Sequence, residues 1–589
     1  MENLCLRILG GKTMKKKVLL LMASFMVFVL VLAACNNDEY TDTVAPPTDE
    51  INGSDDIVEN LFAEFGLDEN MRFIDQRTIS VALWERPNER MPIMADSYWA
   101  EWVVAEMLAR HNVVIEWETI PRWGPEYAHQ SMLLGSDAAP DVGYTLNHGM
   151  LSTFAQMDGL LDLYPLLERY RDLLPHLFGL VGEELIYWNL DPNTNELFNI
   201  TGRLFQDGSS LLFIREDWLA ALDLPIPTDL ETFEYTLRAF RDRADELPGD
   251  LDRVIPYLLG NDVTWHGGIL YQSLIPSNIS DRDWFIYSMS GNANQRLFNH
   301  RDVMFEGTQI WNRWFNEGLL WNDFVIAEDY VGGDLISLGI VGAFTGNWDF
   351  PFRATEGLIT GIRENIGPDA NFIPILPFVN DVGEQQIFMP NPTDRFIYFP
   401  VGNTEPLASL LYLDFMSRPD VLDFLQFGFE GRHHQVLEGG VIEMLPEPED
   451  DPWPNNQLFT VIRNFDLAPT VNGIHFWDTD PARAEQTVAL GYPGISAEAI
   501  IEARNLGLDN GRWFSPVPHP PIVSEEGMVS GLNSERNDIL HILIAGTSPA
   551  EFEARFNQLY DAYLRMGAQD IIDERAAIWH DLFGDVENR

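Results

Sequence analysis

Four aromatic residues stand beside a polar partner where a short apolar run gives way to a turn: Trp84 with Glu85, Tyr144 with Asn147, Trp265 with His266, and Trp348 with Asp349. Arg395 holds a comparable place, in the loop 391–395 ahead of the apolar run 396–401. A ring face stacks on a flat apolar surface, and the adjacent carboxylate, amide or imidazole reaches polar groups at its edge. The chemistry of such pairs is therefore non-covalent recognition. Arg395 has two readings, a bidentate fork onto a ligand carboxylate or an ion pair with a neighbouring acid such as Asp394. Trp102, Trp117, Trp218 and Trp311 fall at core spacing and are expected inside.

Signs of bond-making chemistry are weak. With 91 acids the base rate of accidental carboxylate pairs is high, so acid abundance says nothing about hydrolysis. The chain contains no G-x-S-x-G, no H-E-x-x-H and no complete Gly-rich dinucleotide loop. His433-His434 lacks the partners and spacing of a metal site.

The elements that must position these residues alternate. Residues 78–84 read as a strand, 97–110 as a helix capped by Ser97, and 113–119 as a strand. A second block opens with the buried-strand pattern 211–214 and continues into a helix over 230–247. Alternating strands and helices predict an α/β sheet architecture, and no fixed-period repeat argues for a solenoid.

Composition sets the medium and the partners. Over 589 residues the formal charge is 37 − 91 = −54, which excludes nucleic acid, because phosphate binding needs clustered Lys and Arg. The only lysines are Lys12, Lys15, Lys16 and Lys17. Beyond them Arg is the only permanent cation, and Arg keeps its charge above pH ~12 where Lys does not. An alkaline or saline exterior is expected.

The N-terminus reads as an address and an anchor. Met14 and three lysines precede an apolar stretch over 18–31 and then Leu32-Ala33-Ala34-Cys35. A basic start, a short apolar core and a small-residue cleavage site make a signal peptide over 1–34, with Met14 as the natural start. The tetrapeptide resembles the bacterial lipobox, which implies a diacylated Cys35 and a cell-membrane anchor on the extracytoplasmic face of a Gram-positive cell. Residues 36–61 carry eight acids and no base, a stretch that cannot bury enough apolar surface to fold. Residues 35–69 are assigned to an acidic tether.

Several ordered stretches resemble one family. Leu212-Phe213-Ile214-Arg215-Glu216-Asp217-Trp218-Leu219, followed by 222–230, resembles the strand and (R/K)xDWL segment of extracellular solute-binding proteins of family 1, in their large lipoprotein branch. Ser97-Tyr98-Trp99, 140–144, 317–320, 342–348, 428–431 and 539–567 extend the likeness over most of the chain. These proteins deliver sugars to ABC importers.

The resemblance implies a periplasmic-binding-protein-like (type II) α/β fold with two lobes hinged by two or three crossing strands. Lobe 1 is then expected over 70–200 plus 380–440, and lobe 2 over 206–375 plus 441–589 with the C-terminal helices. The crossings are expected near 197–206, where Gly202 and Gly208 permit them, and near 373–380. The chain would be a monomeric, non-enzymatic receptor for an oligosaccharide, with the importer's permease subunits as partners. The competing readings are a secreted polysaccharide lyase or hydrolase and a ligand-sensing lipoprotein.

Sugar rings are flat and apolar on their faces and hydroxylated at their rims. The resemblance therefore makes Trp84, Glu85, Tyr144, Asn147, Trp265, Trp348, Asp349 and Arg395 the expected ligand contacts. Trp84→Ala or Trp348→Ala is expected to weaken binding at least about tenfold with the fold intact. No cofactor is expected. The calcium loop of many relatives is degenerate here at 241–250, and Asp191-Pro192-Asn193-Thr194-Asn195 reads as a hairpin turn.

Overall fold

The computed structural model describes residues 62–588 apart from 86–93, 123–125, 192–193, 206–207, 289–298, 328–330, 354–355, 390, 447–466, 515–516, 518, 521 and 526–527. The lipobox with Cys35, the signal segment and most of the tether lie outside the described residues.

Two sheets organise this part of the chain. The first contains β1 (Arg77–Glu85), β2 (Val113–Pro121), β3 (Gly143–Thr145) and β4 (Ile200–Leu204). The chain then crosses over and builds the second sheet from β5 (Ser210–Arg215), β6 (Ile255–Leu258), β7 (Val341–Asn347) and β8 (Phe372–Ile375). After a short β9 (Ile387–Phe388) it returns to the first sheet as β10 (Thr393–Tyr398). A hairpin of β11 (His434–Val436) and β12 (Ile442–Met444) precedes β13 (Val471–Asn472), and β14 (Gly511–Arg512) pairs with β9.

The first sheet has the order β13-β4-β10-β3, and β1, paired with β2, joins its β3 end. The joint is the parallel bridge Val81 to Val142, with Asp141 accepting hydrogen bonds from the Ser80 amide and hydroxyl at 2.8 and 2.9 Å. The second sheet has the order β6-β7-β5-β8. In each sheet the strand entered after a crossing, β10 or β5, runs antiparallel to its neighbours. The remaining main strands of each sheet thus end on one edge, the edge where a doubly wound sheet places its ligand.

Each sheet carries its own apolar core. One gathers Ile79, Val81, Val103, Leu167, Ile397 and Leu411; the other gathers Leu212, Ile214, Trp218, Phe240, Val341 and Trp311. These are two lobes, each with a core that helices cover.

The crossings differ from expectation in two respects. The return to the first sheet falls at 389–393 and not near 373–380, because β8 is hydrogen-bonded into the second sheet and Ile387, Phe388 and Met389 are buried in the second core. The chain passes to the second core again at Phe427, Ile442 and Met444, is back in the first core at Leu467, and leaves through β13, a third crossing strand that pairs in parallel with β4. The crossing strands β4, β10 and β13 therefore adjoin in one sheet. Gly202 and Gly473 make this closeness possible, since a Cβ at Gly202 would lie 2.7 Å from the Pro469 carbonyl oxygen, and one at Gly473 2.7 Å from Phe205 Cβ.

The two segments compared with a calcium loop make local contacts of their own. In 241–250, Arg241 forks onto Asp242 and Arg243 onto Glu246. At the other, the Asn195 amide donates to the Asp191 carbonyl oxygen at 2.9 Å, closing a turn. Among the described residues no group of three His, Cys, Asp or Glu is placed to hold a metal, and no helix is long and apolar enough to cross a membrane.

Candidate functional site at the facing strand ends

At the edge of the first lobe, Trp84 is the next-to-last residue of β1 and is fully buried. Its ring meets Tyr144 of β3 edge-on, with centroids 4.7 Å apart, and its amide donates to the Tyr144 hydroxyl at 3.1 Å. Two guanidinium groups approach the same ring, Arg122 at 4.4 Å and Arg395 at 5.6 Å from its centroid. Strand pairing explains the gathering: β1 and β2 end together, and β10 begins on that edge. The Trp84 Nε1–H is buried without an acceptor among the described residues.

Arg395 is also fully buried. It donates to Asp394 at 2.5 Å and to the Val471 carbonyl oxygen at 3.4 Å, and Asp394 accepts from Asn472 at 3.1 Å. That ties the second crossing to the third. The carboxylate of Glu85 accepts from the amides of Met94 and Ala95, both at 2.9 Å, and Asn147 caps the helix His148–Gln156 through the Met150 amide.

At the edge of the second lobe, Trp348 follows β7 and donates its amide to the Ser209 carbonyl oxygen at 3.0 Å. Its indole lies on Gly208 of the first crossing, where a Cβ would come within 2.5 Å of the ring. Asp349 is fully buried and receives Arg353 at 2.6 and 3.0 Å and the Tyr492 hydroxyl at 2.9 Å. Burial opposes the charge on Arg353, yet the Asp349 carboxylate outweighs it and holds the guanidinium pKa above its ordinary value. Trp265, in the helix Val263–His266 beyond β6, is half-buried, and its amide is capped by Asp262 at 3.1 Å.

The structure thus brings Trp84, Tyr144 and Arg395 into one cluster and Trp348 and Asp349 into another, while Glu85 and Asn147 serve as caps. Arg122 and Tyr492 escaped the sequence reading. Arg122 was findable by the same rule as Glu85, since it follows β2 as Glu85 ends β1. Tyr492 gave no signal, because 143 residues separate it from Asp349.

No protein-family model and no curated protein matches the chain. Solved structures do. An alginate-binding protein, AlgQ2, superposes with a TM-score of 0.64 at 14% identity, over 86% of this chain and 99% of that one. A solute-binding protein from Bifidobacterium longum infantis, described as HMO-binding and ABC-transporter associated, gives 0.56 at 15%, over 87% and 100%. The N-glycan transport solute-binding protein NgtS of Streptococcus pneumoniae gives 0.55 at 13%, over 86% and 99%. At these identities the likeness is one of fold: the chain has the two-lobed α/β fold of periplasmic-binding-protein-like solute-binding proteins.

Proposed function

We propose that this chain is a receptor that captures an oligosaccharide between its lobes and passes it to the membrane subunits of an ABC importer, held at the outer membrane face by a lipidated Cys35. The observation that carries the reading is the pair of lobes whose strand ends share one edge each and whose three crossing strands adjoin. Adjoining crossings concentrate backbone rotation at a few residues, as closure around a ligand requires. The ligands of the similar proteins, alginate, HMO and N-glycan, support the sugar as cargo.

Recognition in such a site rests on stacking and hydrogen bonds, with no bond made or broken. Trp84, Tyr144, Trp348 and Arg395 are buried and hold the strand ends from beneath, while Trp265, Glu85 and Asn147 are partly open at the edges. The net charge of −54 disfavours long-range attraction of polyanions, so contact chemistry within the cleft must carry selectivity.

The test is calorimetric titration of the folded chain with manno-, cello-, laminari- and alginate-derived oligosaccharides, followed by mass analysis of the recovered glycan. Saturable binding of one glycan per chain with the glycan intact is expected. Absence of binding across all series, or recovery of shortened glycan, would overturn the reading.

A further inference from the structure

We propose that Tyr98 and Phe429 form a second stacking subsite for a pyranose ring, at the edge of the first lobe; the inference rests on the receptor reading above and assigns it a longer ligand. Both rings are delivered to the edge where β1 ends. Glu85, the last residue of β1, holds the amides of Met94 and Ala95, and Ser97 caps the helix Tyr98–His111 by accepting from Ala100 at 3.1 Å. Tyr98 therefore follows closely on the Ala95 amide that Glu85 holds at the strand end.

The helix Pro419–Phe427 runs antiparallel to Tyr98–His111. Asp420 pairs with Arg110 at 2.7 Å near one end, and Phe424 meets Trp102 at 4.3 Å and Trp99 at 4.7 Å further along. Phe429 follows and reaches Tyr98 at 6.0 Å, with 33° between the rings, while stacking on Trp99 at 5.9 Å.

Phe429 is 46% exposed, although Trp99 beneath it is buried. Leaving a phenyl ring half in water forgoes burial at about 25 cal/mol per Å² of apolar surface. The mount is nevertheless rigid. Gly428 and Gly431 take φ of +79° and +78°, and a Cβ at Gly428 would lie 2.4 Å from the His433 ring. The Phe429 amide donates to His433 Nδ1 at 3.0 Å, and its carbonyl oxygen accepts from the His433 amide at 2.9 Å. Preorganising an exposed ring lowers the ordering cost of a ligand placed on it.

The occupant is a sugar ring. The paired rings offer a small apolar platform with the exposed Glu101, Glu430 and Arg432 near it in sequence, which matches a flat C–H face bordered by hydroxyls. A protein partner would need roughly 800 Å² on this side.

Calorimetry with the manno-, cello-, laminari- and alginate-derived series, each from disaccharide to hexasaccharide, tests it on the full folded chain. Phe429→Ala is expected to weaken hexasaccharide binding about tenfold while disaccharide affinity stays within about twofold. Phe429→Tyr should restore the difference, and Tyr98→Ala should reproduce it if Phe429→Ala unfolds. An equal loss at every length, or no loss at any, overturns the subsite while leaving the receptor reading in place. Failure of the parent chain to bind any series overturns the receptor reading and the subsite with it.

Discussion

Trp84→Ala is expected to lower the stability of the first lobe by ~3–5 kcal/mol, the usual cost of deleting a fully buried indole and leaving a cavity. The ring touches Tyr144, Arg122 and Arg395 and belongs to the core that also holds Val81, Val103 and Leu411. Thermal unfolding should shift down by roughly 10 °C, with a smaller shift for Trp84→Phe. A variant that unfolds within a degree or two of the parent would contradict this placement. The expectation that Trp84→Ala weakens binding with the fold intact is corrected accordingly: stability is the first quantity the substitution moves, because no face of this indole is open to solvent.

Asp349→Ala carries the second large effect. Arg353, 5% exposed, would keep its charge in a buried site and lose the carboxylate that holds it. Breaking one side of a buried pair costs ~3–5 kcal/mol, mostly for the stranded charge. The double variant Asp349→Leu, Arg353→Met should recover much of the loss, since both members of the buried pair are removed together. Urea unfolding of the three chains checks this. A single variant as stable as the parent, or a double variant worse than the single, would show that the pair does not stabilise the second lobe.

The elements that position the site were largely readable. The periodicity over 78–84 and 97–110 corresponds to β1 and to the helix Tyr98–His111, and Ser97 caps that helix through its own hydroxyl. The helix read over 230–247 ends earlier, at Asp242, and a short turn of helix over Ala244–Glu246 follows. There the Arg243 fork onto Glu246 replaces helical continuation.

The second crossing was misplaced for a different reason. Apolar residues at 372–376 and 387–389 look alike in sequence, and only pairing with β5 or β14 distinguishes a sheet strand from the return segment. The strand-end positions of Trp84 and Trp348 were legible, whereas Arg395, read in a loop, lies inside β10. Their partners were not, because Arg122, Tyr492 and Asn472 arrive from distant parts of the chain and carry no local pattern. Exposure was equally hidden: a Trp at a strand end is buried at Trp84 and half-open at Trp265, according to what the neighbouring strands bring to it.

The proposed capture depends on two lobes that close around a glycan, and small-angle scattering measures that motion directly. With saturating oligosaccharide from whichever series binds by calorimetry, the radius of gyration of the folded chain should fall relative to the ligand-free sample, and the change should reverse on dialysis. A radius that stays constant while the glycan is demonstrably bound would contradict capture by closure and leave only a rigid binding surface.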